Sequence, residues 1–200
     1  MTSPNDALIS LYDRTAEHWA KARFDKGLET KWLDRLEQLL PSAGAILDLG
    51  CGHGIPIGQK LIGRGYRLTG VDSSERLIGM ARKRFPDAEW IARDMRTLRL
   101  GRSFDAILAW HSLFHLAPDE QRDMFPIFAR HARPDAALLF TSGPKAGTCL
   151  GEWRGEPLYS ASLDPEEYRQ LLSAAGFAVL DHVADDAEAG GATIWLARSG

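Results

Sequence analysis

Cysteine is scarce in this chain: there are two in 200 residues, Cys51 and Cys149, and neither belongs to a CxxC pair. That excludes a disulfide framework and makes a reducing compartment the simpler expectation. Long apolar runs are missing too. None exceeds about seven residues, far short of the roughly twenty that a membrane span needs. The opening residues Thr2-Ser3-Pro4-Asn5-Asp6 carry no Lys or Arg, so they do not read as a signal-peptide n-region. Charge of one sign is not in excess either: 24 Lys+Arg face 27 Asp+Glu, a formal net charge of −3. No global basic field awaits nucleic acid. The local clusters Arg82-Lys83-Arg84 and Arg130-His131 with Arg133 fall on expected helices and read as solvated faces. A soluble, cytoplasmic protein that works without nucleic acid or membrane is the expectation.

What is present is 44% hydrophobic residues, enough for one sizeable core, and 19 glycines whose positions matter more than their number. Ala7 to Lys21 and Leu28 to Leu40 read as helices, the second closed by Pro41. Short strand-like runs then alternate with helical segments. The runs are Ala45 to Leu49, Arg67 to Val71, Glu89 to Ile91, Phe104 to Ala109 and Ala136 to Thr141; the helices are Pro56 to Gly63, Ser74 to Arg84 and Pro118 to Arg130. That alternation predicts parallel strands joined by crossover helices. Asp164-Pro165 starts a further helix that stops at Gly176, and two more strands, Phe177 to Val183 and Thr193 to Ala197, read as an antiparallel hairpin. The fold class is α/β: seven strands, mostly parallel, ending in that hairpin.

Asp48-Leu49-Gly50-Cys51-Gly52-His53-Gly54 stands where the first strand runs out and a helix begins. Glycine on alternate positions lets the backbone turn sharply and approach a ligand with no Cβ between them. In open parallel sheets this is where ligands bind. A nicotinamide site would need GxGxxG, yet counting from Gly50 or from Gly52 puts an isoleucine, Ile55 or Ile57, at the sixth position. Asp48 beneath the loop would also repel a pyrophosphate, so a cationic or zwitterionic ligand fits better. Asp72 ends the second strand, where a carboxylate can accept from both hydroxyls of a ribose. Ser73 or Ser74 can cap the helix that follows. Asp94 and Met95 come after the third strand.

Together these features resemble the class I S-adenosylmethionine-dependent methyltransferases of the small-molecule type. The resemblance rests on Ile46 to Gly54, Val71-Asp72, Arg93-Asp94-Met95 and Phe104 to Ile107, and spans residues 45 to 143 in order and spacing. It implies a Rossmann-like sheet with helices on both faces and S-adenosylmethionine as cofactor. Gly50 and Gly52 would line its methionine portion and Asp48 would lie near the amino group. Asp72 with Ser73 would serve the ribose, Asp94 and the Met95 backbone the adenine, and Trp110 the cofactor from the end of the fourth strand. Leu11-Tyr12-Asp13 followed by Trp19 and Arg23 is similar to the N-terminal lid helices of such enzymes, in which Tyr12 would reach the cofactor; the alternative is an amphipathic helix whose aromatics pack.

Trp110-His111-Ser112-Leu113-Phe114-His115-Leu116 follows the fourth strand, where substrate should meet the methyl group. His111 is the candidate general base or substrate partner. His115 is a further substrate-side candidate or a packed core histidine. The pair has helical spacing but no third ligand at recognisable spacing, so no metal site is expected. Trp153 and Tyr159 either wall the substrate or cover the sheet edge. The expected partition is one domain: 1–41 a helical lid, 42–143 the cofactor-binding half, 144–163 a lid-like insertion, and 164–200 the closing helix and hairpin. Methyl transfer to a small-molecule acceptor is the leading function. The alternatives are a cofactor-binding regulatory or partner protein without transferase activity and, further off, a nucleotide-dependent oxidoreductase.

Overall fold

The structure is a computed structural model that describes residues 4–22 and 27–200. Arg23 lies outside these. The chain opens with α1 (Pro4–Arg14), α2 (Ala16–Ala22) and α3 (Thr30–Glu37). The single helix expected over 7–21 is broken at Thr15. Its hydroxyl donates back to the Leu11 carbonyl at 2.7 Å, while its own carbonyl accepts from the His18 and Trp19 N–H groups and starts the next helix. A threonine hydroxyl competing with the backbone explains the break.

Then come β1 (Ala45–Leu49), α4 (Ile57–Gly63), β2 (Arg67–Asp72), α5 (Glu75–Arg84), β3 (Glu89–Ala92), β4 (Phe104–Ala109), α6 (Pro118–His131) and β5 (Ala132–Ser142). Past β5 the chain forms β6 (Gly147–Trp153), β7 (Glu156–Ser162), α7 (Pro165–Ala174), β8 (Phe177–Asp186) and β9 (Ala192–Ser199). The main sheet has seven strands in the order β3-β2-β1-β4-β5-β9-β8. β1 to β5 pair in parallel and β9 runs antiparallel to both neighbours. The order reverses between β1 and β4, so the carboxyl ends of those two strands frame a crevice.

Strand residues alternate between two cores, one on each face. Leu47, Ile107, Leu138, Phe140 and Trp195 pack against α6 and α7 through Phe125, Phe128, Tyr168 and Leu172. Ile46, Leu108, Leu139 and Leu196 pack against α3, α4 and α5 through Trp32, Leu36, Leu61 and Ile78. A two-residue side-chain period with both faces covered is why these strands read as continuous apolar runs.

The stretch 144–163, expected as a lid-like insertion, forms the β6–β7 hairpin. Its turn residues Arg154 and Gly155 both have positive φ, 56° and 82°. That is the two-residue turn whose twist suits a hairpin, and the Gly at its second position was the sequence signal for it. The base of the hairpin is fixed by a buried polar knot. Gln121 on α6 donates to the carbonyls of Leu116 and Ala161 at 2.8 and 2.9 Å, and its Oε1 accepts from the Tyr168 hydroxyl at 2.5 Å. That hydroxyl in turn accepts from Leu163 N–H at 3.2 Å.

Removing the hydroxyl orphans two buried groups. Tyr168→Phe is therefore expected to lower stability by about 1–3 kcal/mol. Urea unfolding should show a lower midpoint at unchanged slope; an unchanged midpoint would remove the knot from the account.

Candidate functional site

The glycine loop is built on the end of β2. Gly50 N–H and Cys51 N–H both donate to the Val71 carbonyl, at 2.8 and 3.1 Å, which swings the chain off β1 and across the sheet edge. Gly50, Gly52 and Gly54 have φ of 75°, 57° and 82°. At Gly50 a side chain is excluded twice over, since an added Cβ would also stand 2.3 Å from the Ser112 Cβ. At Gly52 an added Cβ would meet no protein atom within 4 Å; it would point into open space.

Asp72 gathers this loop. Its Oδ2 accepts from Gly52 N–H and its Oδ1 from Ser74 N–H, each at 2.9 Å. Burial raises the Asp72 carboxyl above its ordinary value, against the two N–H donors, and the nearby Asp13 charge pushes the same way as burial. The helix cap falls to Ser74, whose Oγ accepts from Leu77 N–H at 3.2 Å and donates to Asp13 on α1 at 2.7 Å. Cys51, beside Asp48 and Asp72, has its thiol pushed well up by burial and by those two charges, so it stays protonated.

Two cavities meet over the loop. The first, of about 90 Å³, is lined by Tyr12, Gly50, Gly52, Asp72, Ser73, Asp94, Met95, His111 and His115 among the residues singled out from the sequence. The second is lined by Asp48, Trp110 and again Gly50, Gly52 and His111. Trp19, Gly50, Gly52 and His111 line both. Trp153 and Tyr159 line neither. Trp153 packs edge-on against Trp19 at 5.1 Å between ring centroids and donates from Nε1 to Thr15 Oγ1 at 3.0 Å. Tyr159 contributes its backbone carbonyl rather than its ring to the surroundings of the site.

Sequence reading missed Leu8, Ile9 and Ser112 in the first cavity and His53 and Ile55 in the second. It also missed Arg96, whose guanidinium holds Asp94 Oδ2 at 2.6 Å, Asp6 on α1 at 2.7 Å and Glu120 on α6 at 2.5 Å. An Arg two residues past Asp94 was the available signal, but its long-range partners were not visible.

His111 and His115 do not share a helix. His111 sits in left-handed backbone at φ 52°, ahead of a single 3-10 turn, Leu113–His115. Among the described residues no group of three or more His, Cys, Asp or Glu is placed to hold a metal ion. Both ring nitrogens of His115 are engaged. Nδ1 lies 3.0 Å from the Tyr159 carbonyl, which can only accept, so Nδ1 carries the proton. Burial lowers the His115 pKa, so the ring is neutral and Nε2 accepts from the Tyr12 hydroxyl at 2.9 Å. One imidazole thus joins α1, the β6–β7 hairpin and the segment after β4.

Residues 46–135 match the model of a methyltransferase domain. The chain is 34% identical over 101 residues to a dTDP-3-amino-3,6-dideoxy-alpha-D-glucopyranose N,N-dimethyltransferase of Streptomyces fradiae, covering 50% of this chain and 39% of that protein. It is 36% identical over 106 residues to the demethylmenaquinone methyltransferase of Thermotoga maritima, covering 50% and 46%. The chain spans 52% and 39% of the length of the first two curated relatives it matches. Among solved structures, the magnesium protoporphyrin IX methyltransferase ChlM of Synechocystis superposes with a TM-score of 0.77 at 18% identity, covering 100% of this chain and 99% of that one. The fold is therefore the Rossmann-like fold of these methyltransferase structures, and residues 46–135 carry the sequence pattern of a methyltransferase domain. No helix among the described residues is long and apolar enough to cross a membrane.

The neutral, half-buried His115 has a consequence for stability. Its folded pKa lies below the ordinary 6.5, so the unfolded chain binds the proton more readily. The stability it contributes is present above about pH 6.5 and is lost as pH falls through that value. His131 and His182, also lowered by burial, act in the same direction. Unfolding free energy is expected to fall between about pH 7.5 and 5.5, with a shallower fall in His115→Gln. An identical slope in the two proteins would contradict the neutral assignment.

Proposed function

We propose that this chain transfers a methyl group from S-adenosylmethionine to a small-molecule acceptor. The observation that carries the reading is the junction of the two cavities, where Trp19, Gly50, Gly52 and His111 line both. A donor with its nucleoside end in the first cavity and its amino end in the second would present its methyl group at that junction, beside His111.

The residues present fit the cofactor. Gly52 leaves open space where a Cβ would intrude, and Asp72 holds a half-buried carboxylate at the strand end, lining the first cavity. Asp72, with Ser73, would take the two hydroxyls of the ribose as hydrogen-bond donors. Asp94 and the Met95 backbone would take the adenine, Gly50 and Gly52 the methionine portion, and Asp48 its ammonium group. Trp110 would close the side of that portion. Tyr12 would cover the site from α1, and because its proton is committed to His115 it would offer the cofactor an acceptor. S-adenosylmethionine supplies a methyl group on a sulfonium, open to in-line displacement. The chain's own work is then alignment and exclusion of water.

His111 would face the acceptor and take its proton where the attacking atom carries one. The relatives support a small acceptor: one is named for an amino sugar nucleotide and another, from Azoarcus, for trans-aconitate. The free thiols Cys51 and Cys149 suit a reducing compartment, and we place the protein in the cytoplasm.

Release of S-adenosylhomocysteine across a panel of amines, phenols, thiols and carboxylates tests the transfer. Asp72→Ala is expected to weaken S-adenosylmethionine binding by about 10-fold or more, a loss of about 1.4 kcal/mol. Unchanged affinity would overturn the ribose assignment. With a turned-over acceptor that carries a proton, His111→Ala should abolish the acidic limb of the pH–rate profile; a retained limb would remove His111 from the role of base.

A further inference from the structure

Directly after β4 the chain is held in a conformation that costs energy, and two neighbouring strands hold it there. The β4–β5 ladder ends at Ala109 and Phe140. His111, two residues on, has φ 52°, a conformation that residues with a Cβ rarely adopt. Its backbone N–H has left the ladder and is taken by a side chain: Thr141 Oγ1 on β5 accepts it at 2.8 Å. Thr141 is completely buried. On the other side Ser112 Oγ donates to the Leu49 carbonyl of β1 at 2.7 Å, and Ser112 fills the space that Gly50 leaves. The turn is therefore pinned to both strands that flank β4. Strained backbone of this kind persists only where its surroundings over-determine it.

We propose that Thr141 is a positioning residue for the methyl-transfer reaction: its hydroxyl holds the left-handed backbone of His111 and thereby sets the imidazole at the junction of the two cavities. This rests on the reading of His111 given above. Thr141 lines neither cavity, so it acts on the reaction only through His111. Valine at 141 keeps the shape and removes the acceptor; serine keeps the acceptor.

The test uses the full chain and two readouts. The first is the NMR titration of the His111 imidazole, assigned with His111→Gln; the second is kcat alongside the affinity for S-adenosylhomocysteine. Thr141→Val is expected to shift the His111 titration and to lower kcat by about 10-fold or more, as displacement of a reacting group does. Affinity for S-adenosylhomocysteine should stay within about twofold, and Thr141→Ser should restore both readouts. A His111 titration identical in wild type and Thr141→Val would overturn the proposal, as would equal losses of affinity and kcat in the valine and serine variants. If Thr141→Val does not fold, amide exchange in the wild type decides. A protected His111 N–H supports the hydrogen bond to Thr141, and exchange at the rate of an open loop overturns it. If the wild type transfers no methyl group to any acceptor, the functional reading fails while the NMR titration still decides the place of Thr141.

Discussion

Two backbone N–H groups, those of Gly52 and Ser74, converge on the half-buried carboxylate of Asp72, and the site is arranged around that contact. It ties the loop leaving β1 to the turn leaving β2, so that two parallel strands end in one rigid rim. A carboxylate loses much of its hydration on burial, and the two N–H donors replace part of it. The positive φ at Gly50 and Gly52 follows from the need to bring both peptide groups over the end of β2. Ser112 then packs where Gly50 has no side chain, which draws the turn after β4 onto the same rim.

The N-terminal helices are attached to this rim on two sides with different chemistry. Toward α5 and the segment after β3, the contacts are polar. Asp13 meets Ser74 and the Arg76 N–H, Glu17 meets Arg76, and Asp6 meets Arg96. The exposed ion pairs among these contribute little individually. Toward the hairpin the contacts are largely aromatic and better buried: Tyr12 with His115, Trp19 with Trp153, and the His115 bond to the Tyr159 carbonyl. Such edge-to-face pairs add to simple area burial.

The sheet was legible because its strands are buried on both faces and punctuated by glycine and proline. The alternation of apolar runs with helical periods led directly to the parallel strands and the closing hairpin, and the motif Asp48 to Gly54 located the crevice. What was not legible depended on the partner a single polar group chooses and on contacts between residues distant in the chain. The break at Thr15 turns on one hydroxyl choosing a carbonyl. The ring of His115 is set by Tyr12 and Tyr159, 103 and 44 residues away. Trp153 and Tyr159, made candidates for a substrate wall by their place in the long segment after β5, line neither cavity: Trp153 packs on Trp19, and the Tyr159 carbonyl meets His115. The β6–β7 turn was announced by Arg154-Gly155 but hidden in a stretch with no clear alternation, since nearly all of β6 is exposed.

The central claim is that the open space over Gly52 is where the cofactor lies. Calorimetric titration of Gly52→Ala with S-adenosylhomocysteine, beside its thermal unfolding, tests this most directly. An added Cβ at Gly52 meets no protein atom within 4 Å, so the protein should fold, with a modest loss of about 1–2 kcal/mol for a side chain in left-handed backbone. The account predicts a folded protein whose affinity for S-adenosylhomocysteine has collapsed. A folded variant that binds as tightly as the wild type would contradict it.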